Sequence, residues 1–365
     1  MRKTIPLVKT NIPARKHLMP RLTKTLYSGY IAEGEEVKIF EKRFSEYIGN
    51  KFVLSFNSGT SALHAALMLA GVKHGDEVIS TALTAEPTNM AILHTGARIV
   101  WGDIDLQTGN LSAASARERI TPRTKAIVVV HYAGVPADID SFQKLSLETG
   151  IPVVEDAAHA LGARFRGVMI GNHSPFVMFS FQAIKHLTTG DGGMLAVGDE
   201  NTHREGRLLR WFGIDKTVSR LEGDIRSVGY KYHMNNIAAS IGNVQMDFIR
   251  KIIRRHIENG RYFDKVLKDI PGLELCEYYE GSQPSYWLYT LKVRRRTDFM
   301  RYLTEHNITA SPLHVRNDKH TVFGEFASNL PNVDDFSERM VHIPCGWWVT
   351  NEDRDYIASL IRKGW

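Results

Sequence analysis

The sequence predicts an α/β protein whose core is a mostly parallel sheet covered on both faces by helices. Three observations carry this. Short β-rich runs alternate with helix-forming stretches from about residue 52 onward, the pattern of strand–helix–strand crossovers. Several runs end in polar clusters: Asn57-Ser58-Gly59-Thr60, His131-Tyr132-Ala133-Gly134 and Glu155-Asp156-Ala157-Ala158-His159. In open parallel sheets, ligands sit beyond the carboxyl ends of the strands, so these clusters are where chemistry is expected. After residue 245 the alternation fades, which divides the chain into a large domain, 1–245, and a smaller α/β domain, 246–365.

Taken in order, residues 20–26 and 36–47 (EVKIFEKRFSEY) read as helices separated by Ser28-Gly29-Tyr30. Residues 52–56 form a strand that runs through Asn57-Ser58-Gly59-Thr60 into SALHAALMLAG, an Ala/Leu-rich helix stopped by Gly71. Such a helix start offers free N–H groups and the positive dipole end to a phosphate, although the same pattern also occurs as a plain cap. The runs 78–81, 98–101, 126–130 and 152–154 are the next strands, with helical stretches such as 141–148 between them. The segment 246–270 reads as a long connecting helix. Phe248, Ile249, Ile252, Ile253 and Ile257 recur on one face, and Arg250, Lys251, Arg254 and Arg255 fall on the other.

The stretch 177–197, VMFSFQAIKHLTTGDGGMLAV, places Lys185 five residues after Ser180, between two apolar runs. A lone charge there is costly without a partner or a task. A partly desolvated lysine loses its proton more readily and condenses with aldehydes, of which pyridoxal phosphate is the best known in proteins. That cofactor also needs an acid for its ring nitrogen and donors for its phosphate. Asp156 ends the apolar run Ile151-Pro152-Val153-Val154 and can supply the acid, or can simply cap the following turn. His159 can stack near the ring or be structural. Single residues decide little; their order along one chain is what points to an aminotransferase.

The totals exclude other classes. With 365 residues and 43% apolar content the chain can bury a sizeable core. The 46 basic and 40 acidic residues are interspersed, so the charge of +6 predicts no nucleic-acid partner. No apolar run approaches the roughly 18 residues of a membrane helix, and the start, MRKTIPLVKT, predicts no signal peptide. Two cysteines without motif spacing, Cys276 and Cys345, suit the cytoplasm.

NSGTSALHAAL, the EDAAHALGA segment, FSFQAIKHLTTGDGGML and GYKYHMNNIAASIGNVQ resemble successive signatures of the DegT/StrS family of sugar-nucleotide aminotransferases. The resemblance runs from Ile5-Pro6-Leu7 to Ile343-Pro344-Cys345-Gly346-Trp347-Trp348. It implies the fold-type I architecture, pyridoxal 5′-phosphate, and a homodimer with shared active sites. By the same resemblance Lys185 carries the cofactor and shuttles protons, Asp156 pairs with its ring nitrogen, and His159 lies near the ring hydroxyl. Gly59, Thr60 and Ser180 hold the phosphate, and Asn235 reaches the phosphate of the neighbouring subunit. Where many members place an aromatic residue against the ring, this chain has Ala85. Either another side chain covers that face, or the matching residue lies a position or two away.

Related sugar 3-dehydratases carry histidine in place of the lysine; Lys185, with His186 after it, holds the lysine's place and implies transamination. The implied reaction takes an amino group from L-glutamate to a nucleotide-linked 4-keto-6-deoxy sugar. Tyr30, Tyr286, Arg316 and His320 are the candidate sugar or diphosphate contacts. The RNDKH and PCGWW segments are most similar to members that aminate C4, of perosamine and viosamine type, with a 3-keto sugar, dehydration or a non-catalytic regulator as alternatives.

Overall fold

The computed structural model describes residues 3–219 and 221–365. Its main sheet has seven strands, in the spatial order Val53–Phe56, Gly193–Val197, Phe176–Ser180, Val153–Asp156, Thr124–Val130, Glu77–Thr81 and Arg98–Gly102. Neighbours pair in parallel except at Gly193–Val197, which runs antiparallel to the strands on both its sides. The expected α/β class with a mostly parallel sheet is the one observed.

The strands Val53–Phe56, Glu77–Thr81, Val153–Asp156 and Gly193–Val197 are buried at every residue, as a sheet covered on both faces requires. Side chains alternate between two cores, as the pleat dictates. Leu54, Phe56, Met178 and Leu195 join the helix Gly59–Leu69 in one; Val53, Val177, Phe179 and Ala196 join the helix Glu35–Ile48 in the other. The helix expected to open at Pro20 begins at Arg15, with Pro20 inside it. Pro20 is exposed, so water can satisfy the carbonyl left without a donor.

A second, three-stranded antiparallel sheet is built from Leu273–Leu275, Tyr289–Val293 and Met340–Ile343. The connecting helix runs Ile249–Val266, shorter than 246–270, and follows directly on the helix Asn236–Met246. The Asp247 and Phe248 N–H groups bond the carbonyls of Val244 and Gln245, a tightened turn that separates the two helices. Pro271 then restricts Ile270 to extended backbone, which stops the helix short of that point. Ile249, Ile252, Ile253 and Phe263 are buried while Arg250, Lys251 and Arg254 are exposed, so the amphipathic reading describes this helix. Ile5 bridges Ile308, which packs the beginning of the chain with the C-terminal sheet. Among the described residues no helix is long and apolar enough to cross a membrane.

Candidate active site

The carboxyl ends of the parallel strands converge on one cavity of about 330 Å³. Five strands reach it, Thr124–Val130 through Val130 itself and the other four through their ends or the segments that follow them. Val53–Phe56 leads to Ser58, Gly59 and Thr60; Glu77–Thr81 to Thr84, Ala85, Glu86 and Thr88; Val153–Asp156 to Asp156, Ala158 and His159; Phe176–Ser180 to Ser180, Gln182 and Lys185. His314 comes from the C-terminal third.

At the start of the helix Gly59–Leu69, the Ser58 side chain accepts from the Ser61 N–H, which leaves the first-turn N–H groups of Gly59 and Thr60 without a carbonyl one turn behind. A Cβ on Gly59 would lie 3.0 Å from the Ser180 hydroxyl oxygen, so a side chain would fill the space an anion could use.

Asp156 is 3% exposed and accepts from the Thr88 hydroxyl at 2.7 Å and the Ala158 N–H at 3.0 Å. It therefore does cap its turn, and it lines the cavity as well. Burial pushes its carboxyl up, against the two hydrogen bonds and the Lys185 charge. A cation against it would restore the ionised form.

Lys185 is half-buried, and burial brings its amine down to about 7, with the Asp156 charge opposing. Nζ lies over the Trp287 ring. His159 stacks on the same ring at 3.9 Å between centroids, and its Nδ1 is buried without a partner among the described residues. Burial first, then the neighbouring Lys185, holds the His159 imidazole well below its ordinary value.

These groups fit pyridoxal 5′-phosphate. A strand-end acid is available for the ring nitrogen, an amine for the aldehyde, and an N–H cradle with the Ser180 hydroxyl for the phosphate. His159 has an unsatisfied ring nitrogen for the phenolic oxygen. Ala85 lines the cavity as a methyl group, with Leu63, Met178 and Ile184 as other apolar neighbours.

The other expected residues lie elsewhere. Asn235 is exposed and caps the helix Asn236–Met246 by accepting from the Ala238 N–H, outside the cavity lining. Tyr30 is 60% exposed on the same side, its carbonyl accepting from the Asn236 amide at 3.0 Å. Tyr286 is not a cavity residue: its hydroxyl donates to Asp264 at 2.6 Å within the C-terminal core. Arg316 is not one either, because Asp318 binds its guanidinium through two bonds of 2.7 Å and Asp334 takes a third N–H. His320 sits at the rim, 3.6 Å from the cavity carboxylate of Glu86. Sequence reasoning assigns Thr88, Trp287 and His314 no individual role. It places them only within the segment 83–88 around Ala85, the Ser285-Tyr286-Trp287 segment and the loop 311–320, the last two expected near the sugar.

The chain is similar to known proteins along nearly its whole length. The spore coat polysaccharide biosynthesis protein SpsC of Bacillus subtilis is 32% identical over 365 residues, covering 95% of this chain and 94% of that one. The sugar aminotransferase CalS13 of Micromonospora echinospora superposes with a TM-score of 0.95 at 38% identity, covering 99% of this chain and all of that one. The PLP form of the putative sugar aminotransferase Spr1654 of Streptococcus pneumoniae gives 0.89 at 26% identity, over 99% and 98% of the two chains. Residues 14–362 match the DegT/DnrJ/EryC1/StrS aminotransferase family, and the chain belongs to that family.

Proposed function

We propose that this aminotransferase moves the amino group of L-glutamate to the keto carbon of a nucleotide-linked 4-keto-6-deoxyhexose, using pyridoxal 5′-phosphate and giving a 4-amino-4,6-dideoxy sugar nucleotide. The observation that carries the reading is that Asp156 and Lys185 line one cavity with Gly59, Thr60 and Ser180. When bound, the cofactor supplies an aldehyde that takes up an amino group and a protonated ring that accepts an electron pair. Asp156 keeps the ring nitrogen protonated, because a buried carboxylate favours a cation beside it. Gly59, Thr60 and Ser180 hold the phosphate. The neutral Lys185 amine would take the α-proton of the donor and, in the second half of the cycle, the Lys185 ammonium would deliver a proton to the sugar carbon being aminated.

Lys185 rather than His186 is the residue in the cavity lining. His186 is buried against His256 at 4.5 Å, with Nε2 3.3 Å from the Ser285 carbonyl, which favours transamination over dehydration. Exposed Tyr30 and Ile31 are hydrogen-bonded through their carbonyls to Asn236, next to exposed Asn235, which suits a homodimer in which Asn235 and Tyr30 complete the partner's site. Both cysteines are free, which suits the cytoplasm. SpsC's name suggests a polysaccharide as the destination of the sugar. Residues 1–245 and 246–365 serve as the large and small domains of this arrangement.

The test is product NMR after incubation with glutamate and matched 4-keto and 3-keto sugar nucleotides. An amine at C4 is expected, and an amine at C3 would overturn the assignment. Lys185→Ala should lower turnover at least ~10³-fold; near-normal turnover would remove Lys185 from its role.

A further inference from the structure

Lys185 Nζ lies 3.8 Å from the centroid of the Trp287 ring. Among the described residues the amine has no hydrogen bond or ion pair, so the indole face is its direct contact. Trp287 is itself firmly seated. It is 2% exposed, and its indole N–H donates to the Ile184 carbonyl at 2.9 Å. That bond ties the ring to the residue before Lys185.

The segment that delivers the ring is equally fixed. Tyr286 takes a φ of 49°, and its carbonyl accepts from the His256 ring nitrogen at 2.8 Å and the Cys345 thiol at 3.2 Å. Two glycines make room: a Cβ on Gly134 would come within 2.8 Å of the Trp287 nitrogen, and one on Gly260 within 2.3 Å of the Tyr286 ring.

We propose that Trp287 is the positioning residue for the uncombined amine of Lys185, its indole face steadying the amine beside the cavity and favouring its protonated form. This rests on Lys185 being the cofactor-bearing lysine. A transaminase lysine is free for part of each cycle and must then carry a proton. Burial alone drives the amine neutral, whereas the negative face of an indole favours the cation. Burial against the Asp156 charge brings the amine down to about 7, where a proton carrier works in both directions, and the indole face acts in the same direction as that charge. The other groups around it do not supply the missing stabilisation. Burial holds His159, His186 and His314 below their ordinary values, so they are neutral near pH 7. Glu86 and Asp191 line other parts of the cavity and stay constant in the comparison below.

The test is acetylation of Lys185 by acetic anhydride in the full-length, cofactor-freed protein, followed against pH by peptide mass spectrometry. The wild-type midpoint is expected near about 7. In Trp287→Leu it should fall by about one pH unit, and in Trp287→Phe by less. Wild-type chain grown with increasingly fluorinated tryptophans keeps the shape of the ring and weakens its negative face. It should show the same graded fall whether or not Trp287→Leu folds. A midpoint unmoved by fluorination overturns the proposal. Borohydride trapping of pyridoxal phosphate on wild-type protein separates the two readings: no label on Lys185 overturns the cofactor-bearing role, whatever the midpoint does.

Discussion

Lys185 shows how one residue's surroundings set its chemistry. Its folded value of about 7 lies below the ordinary 10.5, so between those pH values the unfolded chain binds this proton and the folded chain does not. Stability contributed at this site therefore rises with pH across that window, and the penalty is fully present below pH 7. Lys185→Met should stabilise the cofactor-free protein against urea at pH 6, and the gain should fade as pH approaches 10.5. An equal gain at both ends would show that charge burial is not the cause. Lys185 and Asp156 were legible in the sequence because each is announced locally, at the end of an apolar run. Arg316 was not, since its partner Asp334 lies in a separate helix, Pro331–Arg339, that no local pattern connects to it.

At the scale of elements, the helix Ile249–Val266 does more than connect. Its Asp264 accepts the hydroxyls of Tyr278, Tyr286 and Tyr289 at 2.8, 2.6 and 2.9 Å. Three hydroxyls around one carboxylate bind the helix to the loop and strand that precede and follow Trp287. Asp264→Ala leaves all three in the C-terminal core without that acceptor and should cost at least ~3 kcal/mol by chemical denaturation. A loss below ~1 kcal/mol would show that the cluster is dispensable. This clamp also explains the choice between neighbours that sequence could not make. Tyr286 and Trp287 face different surroundings because the backbone turns left-handed at Tyr286, and that turn depends on Gly134 and Gly260, far away in the chain. Most strands and helices were readable, since burial and amphipathic spacing are properties of contiguous sequence. The first helix, however, begins earlier than read, at Arg15, and the helix read as 246–270 runs only from Ile249 to Val266.

For the whole molecule, the placement of Asn235 makes the decisive prediction. It is exposed and outside its own chain's cavity. If it completes the partner's site, a mixture of Lys185→Ala and Asn235→Ala chains regains activity that neither has alone. Each mixed dimer holds one intact site, so after equal mixing about a quarter of wild-type turnover is expected. No recovery, with mixed dimers demonstrated by mass spectrometry, would place each site within one chain.

The single reversed strand has a further consequence. Phe176–Ser180 and Gly193–Val197 pair with Ser180 opposite Gly193, so the loop bearing Lys185 is pinched shut at its base by the sheet itself. Its root cannot wander with a mobile lid. Whatever distance the amine travels during turnover is covered by its own four-carbon arm, swinging from a fixed pivot.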